Sequence, residues 1–181
     1  PGDNGEHDMD IRAILSKVDH TLLRPDCTRA EIEALCREAA EFGTASVCLP
    51  PVYVARAAEI LEGKVPVCTV VGFPNGYDAT ASKVFQARRA LEDGALEIDM
   101  VIHIGAVKEG RYEDVLREIR AVKEACGERI LKVIIETALL TREEKTALCR
   151  VVTESGADFI KTSTGFAGSG ATFEDVRLIA Q

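Results

Sequence analysis

The chain has 181 residues, of which 46% are hydrophobic and 29% are charged, and its formal net charge is −8. This composition is typical of a globular protein with a sizeable core, and the length favours one domain. The acidic balance argues against a nucleic-acid partner, because phosphates require a basic surface. With 5% aromatic residues and no Trp, stacking platforms for bases are not indicated either.

The cysteines and the first residues bear on the cellular compartment. The six cysteines are scattered, with no Cys-x-x-Cys pair and no zinc-like spacing, which predicts reduced thiols in a cytoplasmic protein. The stretch PGDNGEHDMD is polar and acidic. We therefore expect a flexible tail at 1–10, neither a signal peptide nor a membrane anchor. No apolar run reaches the length of a membrane span.

Strand-like and helix-like segments alternate along 11–181, which we interpret as a single domain. The predicted strands are KVDHTLL (17–23), TASVCLP (44–50), VPVCTVVGFP (65–74), LEIDMVIHIG (96–105), RILKVIIET (129–137) and DFIKTSTGF (158–166). The predicted helices cover 28–43, a segment starting at the prolines 50–51, then 78–94, 112–126, 141–156 and 171–181. TRAE at 28–31 and TREE at 141–144 match the capping box that begins a helix.

The order of these elements limits the fold class. Strands rich in Val and Ile on both faces indicate a parallel sheet covered by helices. Successive βα units fit either a doubly wound sheet or a barrel, but no G-x-G-x-x-G follows the first strand, which weakens the dinucleotide-binding alternative. The sequence therefore predicts an α/β protein of the TIM (β/α)8 type. Only about six βα units are present, so two units of a closed barrel are lacking.

Three charged residues interrupt apolar strand segments: Asp99 in EIDMVI, Lys132 in ILKVII and Lys161 in DFIKTS. Each alone has a structural explanation, as a turn partner or as a lysine that reaches a sheet edge. They fall on three successive strands, and an unpaired buried charge is costly. We therefore expect the three side chains to cluster near the carboxyl ends of the strands, where such folds carry their active sites.

A lysine in such a cluster is suited to amine catalysis. A second cation nearby lowers the pKa of a buried lysine, and the neutral amine attacks an aldehyde or ketone to form an imine. This predicts Lys161 as a nucleophile with a lowered pKa and Asp99 as a proton shuttle. The small residues 162–165 leave room for a substrate, and backbone N–H groups around Gly165 could hold a phosphate.

A metal site is not predicted. His20 and His103 each lack a second ligand at a fixed spacing, so we interpret them as hydrogen-bonded histidines at strand ends. Cys48 is interpreted as a core or pocket-lining thiol, because no neighbouring cation in the sequence would lower its pKa.

Several segments together resemble the class I, metal-free deoxyribose-phosphate aldolase family, over about residues 11–181. They are DHTLL (19–23), SVC (46–48), VGFPNG (71–76), EIDMVIHIGAVKEG (97–110), LKVIIET (131–137) and DFIKTSTGF (158–166). The resemblance implies a cytoplasmic TIM-barrel lyase of deoxyribonucleotide catabolism that needs no cofactor. Its expected reaction is reversible cleavage of 2-deoxy-D-ribose 5-phosphate to D-glyceraldehyde 3-phosphate and acetaldehyde. It also implies a homo-oligomer, either a dimer or a tetramer.

The resemblance assigns roles to residues of this chain. Lys161 corresponds to the Schiff-base lysine, and Asp99 corresponds to the acid/base carboxylate. The positions that it implies for substrate binding are Asp19, Thr21, Cys48, Lys132, Thr164 and Gly165.

The chain also departs from the family pattern. It has His103 where Asn is usual, Gln86 where Glu is usual, and Arg24 where Lys is frequent. The family continues with a seventh strand that carries a second lysine and an eighth that ends in a phosphate loop, and neither occurs before Gln181. This predicts a fragment, or an opening that another chain covers, because open strand edges are normally avoided.

Two alternatives to the leading function stay open at this point. One is a different Schiff-base aldolase or a transaldolase on the same barrel. The other is a truncated, catalytically inactive barrel that acts as an assembly or binding partner.

Overall fold

The structure is a computed structural model that describes residues 11–181, and the tail predicted at 1–10 lies outside the described residues. The strands are β1 (Asp19–Thr21), β2 (Ser46–Leu49), β3 (Val67–Val71), β4 (Glu97–Val101), β5 (Ile130–Ile134) and β6 (Phe159–Lys161). The helices are α1 (Ile11–Leu15), α2 (Arg29–Phe42), α3 (Val54–Leu61), α4 (Thr80–Glu92), α5 (Ile104–Lys108), α6 (Tyr112–Cys126), α7 (Arg142–Ser155) and α8 (Phe173–Ile179). Short 3₁₀ turns cover Pro51–Tyr53 and Thr137–Leu139.

The six strands form one sheet in the order β1-β2-β3-β4-β5-β6, and every neighbouring pair is parallel. Each strand therefore pairs with the next one in sequence, as in consecutive units of a (β/α)8 barrel. The predicted partial barrel is confirmed. Among the described residues, β1 and β6 each have a strand neighbour on one side.

Helix boundaries follow local signals in the sequence. Both predicted capping boxes form: the Thr28 and Thr141 hydroxyls accept from the N–H groups of Glu31 and Glu144, whose side chains accept from the cap N–H groups. Such a cap stabilises a helix by about 1 kcal/mol. The prediction of a strand through 102–105 is wrong, because β4 ends at Val101 and α5 begins at Ile104.

The sheet has two different faces, because successive side chains of a strand point to opposite sides. Ile98 and Met100 of β4 belong to the apolar core, together with residues such as Val47, Leu131 and Val133. The outer face of the sheet thus packs against the helices. Glu97 and Asp99 alternate with these residues and therefore lie on the inner face. Lys132 of β5 is opposite Asp99 and lies on this inner face as well.

Two expectations about the whole chain can be compared with the structure. Each of the six cysteines, all within 11–181, has a free thiol. In the part of the chain that the structure describes, no helix has both the length and the apolar character needed to cross a membrane.

Candidate active site

The strand register brings the three predicted charges together. Asp99 of β4 is directly opposite Lys132 of β5. Lys161 of β6 is opposite Ile134, two residues beyond Lys132 on the same face of β5. The predicted clustering of Asp99, Lys132 and Lys161 is therefore present in the fold.

The ammonium groups and carboxylates make direct contacts. The Nζ atom of Lys161 lies 2.5 Å from Oδ2 of Asp99 and 3.3 Å from Oδ2 of Asp19. The Nζ atom of Lys132 lies 2.5 Å from Glu97, 3.1 Å from Asp19 and 3.3 Å from Oδ1 of Asp99. We call these five residues, Asp19, Glu97, Asp99, Lys132 and Lys161, the inner cluster. It contains three carboxylates and two ammonium groups, so negative charge is in formal excess.

The electrostatics of the inner cluster correct one sequence prediction. Burial lowers the pKa of Lys161, but the carboxylate of Asp99 outweighs burial and the repulsion from Lys132, so that the pKa is raised. Lys132 is affected in the same sense: burial lowers its pKa, but the carboxylates of Asp99, Glu97 and Asp19 raise it well above the usual range. The prediction of a lowered pKa for Lys161 is wrong for this structure. The reason is that the carboxylate of Asp99 is in direct contact with the ammonium of Lys161, and its attraction exceeds the combined effect of burial and of the Lys132 charge.

Asp19 joins the first strand to the last two. Its Oδ1 atom accepts a hydrogen bond of 2.8 Å from the hydroxyl of Ser46, while Oδ2 faces both lysines. Burial raises the pKa of Asp19, but Lys132, the Ser46 hydroxyl and Lys161 together hold it below its usual value. Asp19 therefore stays ionised, and from β1 it contacts the ammonium groups of β5 and β6 across the inner face.

Cys48 and Cys68 are directly opposite each other on β2 and β3, and with Val70 they form a small buried cluster against Leu23 and Phe73. Cys48 is 1% exposed, a position that fits the interpretation of a core or pocket-lining thiol. Burial, and then the neighbouring Cys48, raise the pKa of Cys68, which keeps that thiol protonated.

The same region contains three metal-ligand types. The ligand atoms of Cys48, Cys68 and Asp99 lie within 4.8 Å of one another. The Nζ atom of Lys132, however, lies 3.6 Å from Cys68 Sγ and 3.3 Å from Asp99 Oδ1. An ammonium thus already supplies positive charge where these atoms converge.

The segment after Lys161 is held by a carboxylate. The N–H and hydroxyl groups of Thr164 both donate to Glu136, at 3.1 and 2.5 Å. The next residue, Gly165, has φ of +85°, a conformation that side chains rarely adopt, and the space beside its Cα is open. Of the two residues expected to hold phosphate, Thr164 thus has both donors occupied, whereas Gly165 borders free space.

Other residues singled out in the sequence lie outside the inner cluster. His20 Nε2 contacts Glu38 at 2.9 Å, and Thr21 donates to the carbonyl of Asp19 at 2.8 Å. His103 donates its backbone N–H to Glu118, and its ring lines an outer cavity with Asp114. Arg24 forms ion pairs with Asp26 and Glu31 at the start of α2.

Sequence reasoning missed Glu97 and undervalued Glu136. Glu97 precedes Asp99 by two residues, so strand alternation alone places both carboxylates on one face. Its contact with Lys132 follows from the β4–β5 register, in which Asp99 and Lys132 are neighbours. The sequence pattern assigns no role to Glu136, which follows β5.

The arrangement can perform proton transfer at an amine. The side chain of Lys161 is 29% exposed, whereas that of Asp99 is 2% exposed, so the amine is reachable and its carboxylate partner is shielded. A carbonyl compound that reaches Lys161 would therefore meet an amine whose proton has an acceptor in direct contact.

Comparisons with known proteins agree with this geometry. A family model described as DeoC/LacD family aldolase matches residues 13–181. A curated deoxyribose-phosphate aldolase of Streptococcus pyogenes serotype M28 is 54% identical over 173 residues, which cover 96% of this chain and 78% of the relative.

Solved structures similar to this chain are also described as deoxyribose-phosphate aldolases. One from Coccidioides immitis has a TM-score of 0.92 and 46% identity, covering 94% of this chain and 68% of its own. The tetrameric deoxyribose phosphate aldolase of Aeropyrum pernix has a TM-score of 0.84 and 32% identity, covering 93% of this chain and 72% of its own.

Proposed function

The chain belongs to the DeoC/LacD aldolase family, whose members are lyases, and we propose that it cleaves 2-deoxy-D-ribose 5-phosphate reversibly to D-glyceraldehyde 3-phosphate and acetaldehyde. The reaction proceeds through an imine on Lys161. The observation that carries this proposal is the 2.5 Å contact between Lys161 Nζ and the buried carboxylate of Asp99.

The first step is the loss of a proton from Lys161. Because its pKa is raised, the residue is an ammonium ion at neutral pH, and attack requires that one proton leaves. Asp99 is the acceptor in contact with that proton. The free amine then adds to the C1 aldehyde of the open-chain sugar. A proton returned from Asp99 lets the carbinolamine hydroxyl leave as water and gives the protonated imine.

The second step breaks the bond between C2 and C3 of the sugar. The C3 hydroxyl loses its proton, the C2–C3 electron pair moves toward the imine nitrogen, and glyceraldehyde 3-phosphate leaves. An enamine remains on Lys161. Protonation of its terminal carbon and addition of water release acetaldehyde and regenerate the lysine. In this proposal Asp99 carries both protons, the one lost by the C3 hydroxyl and the one gained by the enamine carbon, because its carboxylate contacts the nitrogen of Lys161.

The remaining residues of the site have supporting roles in this proposal. Lys132 and Asp19 hold Asp99 and Lys161 in register through the contacts of the inner cluster. Cys48 lines the apolar side of the pocket, and Thr21 lies on the same strand as Asp19. The N–H of Gly165 is the proposed contact for the sugar phosphate, and the open space beside the Cα atom of this residue supports the proposal.

The test is reductive trapping of the imine. The purified chain is treated with acetaldehyde and borohydride, and its intact mass and peptide map are recorded. We expect a single ethyl adduct on Lys161 and none in the Lys161→Met variant. Lys108→Met is the matched control, because Lys108 pairs with Glu144 at the surface and should not affect trapping. Undiminished trapping in Lys161→Met would contradict the proposal.

Substrate profiling separates this function from its rivals. A deoxyribose-phosphate aldolase accepts acetaldehyde as donor and cleaves deoxyribose 5-phosphate. Another Schiff-base aldolase or a transaldolase would form an adduct with a different donor. A chain that forms no adduct with any donor would be an inactive barrel, and binding partners would then be sought.

We also propose that the chain forms a homo-oligomer, as described for the structure from Aeropyrum pernix. Light scattering after gel filtration gives the mass in solution. A dimer or tetramer is expected, and a monomer at micromolar concentration would contradict the proposal.

A further inference from the structure

Two non-glycine residues among 11–181 have a left-handed backbone: Glu62 and Glu136. Glu62 has φ of 49° and ends α3 as its C-cap, a place where this conformation is common, and its side chain is exposed. Glu136 has φ of 57° and ψ of 67° at the end of β5, and only 2% of it is exposed. An unusual backbone conformation in a buried residue persists only where the surroundings require it, and such residues concentrate at functional sites.

The side chain of Glu136 connects β5 to the segment that follows Lys161. Its Oε1 atom accepts from the Thr164 N–H at 3.1 Å, and its Oε2 atom accepts from the Thr164 hydroxyl at 2.5 Å. The backbone adds a third bond, from the N–H of Thr137 to the carbonyl of Thr162 at 2.8 Å. Both carboxylate oxygens of Glu136 thus accept hydrogen bonds from Thr164, which lies three positions after the proposed nucleophile Lys161.

This arrangement limits what Thr164 can do. The Thr164 hydroxyl donates to Glu136 and accepts from the N–H of Phe166 at 3.0 Å. Thr164 cannot give either donor to a substrate without releasing a buried carboxylate, which would be unfavourable. At Gly165, directly after it, a Cβ atom added to the backbone would meet no other atom within 4 Å, so there is room beside this residue.

We propose that Glu136 is a positioning residue for the aldol reaction, and that it fixes residues 162–165 so that the Gly165 N–H, rather than Thr164, receives the phosphate of the substrate. This inference rests on the proposed function, because it takes Lys161 as the nucleophile. Glu136 itself touches neither the substrate nor the reacting atoms. Its effect passes through Thr164, and it therefore appears in the preference for a phosphorylated substrate.

The test compares three variants. Glu136→Gly relieves the backbone conformation but removes both acceptors. Glu136→Gln keeps the shape, and its amide can still accept from the Thr164 N–H. Glu62→Gly is the matched control, because it relieves the same conformation at an exposed helix end. For each variant, kcat/KM is measured for deoxyribose 5-phosphate and for unphosphorylated deoxyribose, per active site counted by trapping with acetaldehyde and borohydride.

We expect the ratio of the two kcat/KM values to fall at least tenfold in Glu136→Gly, to fall less than threefold in Glu136→Gln, and to stay unchanged in Glu62→Gly. A purely structural role would lower the number of active sites but leave the ratio per site unchanged. An unchanged ratio in Glu136→Gly would therefore overturn the proposal.

A second measurement separates this inference from the proposed function. Hydrogen exchange of the peptide covering 162–166 should accelerate at least tenfold in Glu136→Gly and not in Glu62→Gly. If the parent chain forms no adduct on Lys161, the proposed function fails, and exchange then decides whether Glu136 holds the segment. Unchanged exchange in Glu136→Gly would overturn the positioning role.

Discussion

Two buried lysine sites in this molecule differ in what surrounds the ammonium. Lys83 of α4 has a fully buried side chain, and its Nζ donates to the carbonyls of Gly76 and Val101 and to Glu118, at 2.6, 2.8 and 2.7 Å. These three acceptors match the three donors of an ammonium. Lys161 is 29% exposed and faces two carboxylates. One lysine is closed off by its partners, and the other can be reached.

The pKa is lowered at the inaccessible lysine, Lys83, and raised at the accessible one, Lys161. Burial lowers the pKa of Lys83, although Glu118 opposes this shift. The pKa of Lys161 is raised, because Asp99 outweighs burial. A lowered pKa is often taken to mark a reactive lysine. Here it marks the lysine that no substrate can approach.

The packing around Lys83 also shows that a substrate cannot reach its ammonium. A Cβ atom added at Gly72 would lie 2.6 Å from Cε of Lys83, so the loop after β3 packs directly on that side chain. Lys83 therefore fastens this loop, the end of β4 and α6 to one another. The reactivity that we propose for Lys161 requires access and an adjacent proton acceptor, and Lys83 lacks the first of these.

Of the changes that test this difference between Lys161 and Lys83, Asp99→Asn should have the largest effect. Loss of the carboxylate removes the proton acceptor of Lys161, so we expect kcat for deoxyribose 5-phosphate cleavage to fall by about 10²- to 10⁴-fold. Steady-state kinetics measure this loss. Asp114→Asn, at a partly exposed aspartate that pairs with Arg111 and Arg117, is the control, and its kcat should stay close to that of the parent. A loss of less than tenfold in Asp99→Asn would show that another group moves the protons.

Lys83→Met tests the other site through stability. It leaves Glu118 buried without its cation, and we expect the free energy of unfolding to fall by about 3–5 kcal/mol. Urea denaturation measures the change. The double variant Lys83→Met/Glu118→Met should recover most of it, because both charges are then removed. Lys108→Met, in a surface pair, should change stability by less than about 1 kcal/mol. Equal effects of Lys83→Met and Lys108→Met would mean that the buried pair does not stabilise the fold.

The pH dependence of trapping sharpens the contrast in protonation. A raised pKa means that Lys161 is an ammonium throughout the neutral range, so the rate of reductive trapping should rise by about tenfold per pH unit between pH 7 and 9. The same sign applies to stability: the contribution of this ammonium is fully present below the ordinary lysine pKa of about 10.4 and is lost as pH rises through the higher folded value. A trapping rate independent of pH over this range would contradict a raised pKa.

The smallest expected effect concerns the loop that Lys83 fastens. The side-chain oxygen of Gln86 accepts from the Gly72 N–H at 2.8 Å, and its NH₂ group donates to Asp78 at 3.0 Å. Gln86→Glu replaces that donor with a second carboxylate, and we expect a loss of about 1 kcal/mol in urea denaturation.

Adding Asp78→Asn in the Gln86→Glu background provides the control. It restores a donor opposite the new carboxylate and should return most of the lost stability. If Gln86→Glu alone is as stable as the parent, the hydrogen bond to Asp78 does not hold the loop.

Much of the fold could be read from short stretches of sequence. The two capping boxes, the helix at Tyr112–Cys126 and the succession of strands were predicted because they depend on residues within a few positions of one another. Where the sequence prediction failed, as at 102–105, an apolar stretch had been read as a longer strand than the sheet contains. Apolar strands and buried helix starts share this pattern, and only packing distinguishes them.

For the candidate site too, one part could be predicted from the sequence and another part depends on the fold. The pattern of residues is enough to show that Asp99, Lys132 and Lys161 interrupt apolar strands and to predict that they face one another inside a parallel sheet. The folded chain sets which partners they contact, brings Glu97 and Asp19 to them and raises the pKa of Lys161. The reason is distance along the chain: Lys161 lies 62 residues from Asp99 and 142 from Asp19. The sign of a pKa shift depends on separations of a few ångströms between such groups, and the register of a complete sheet sets those separations.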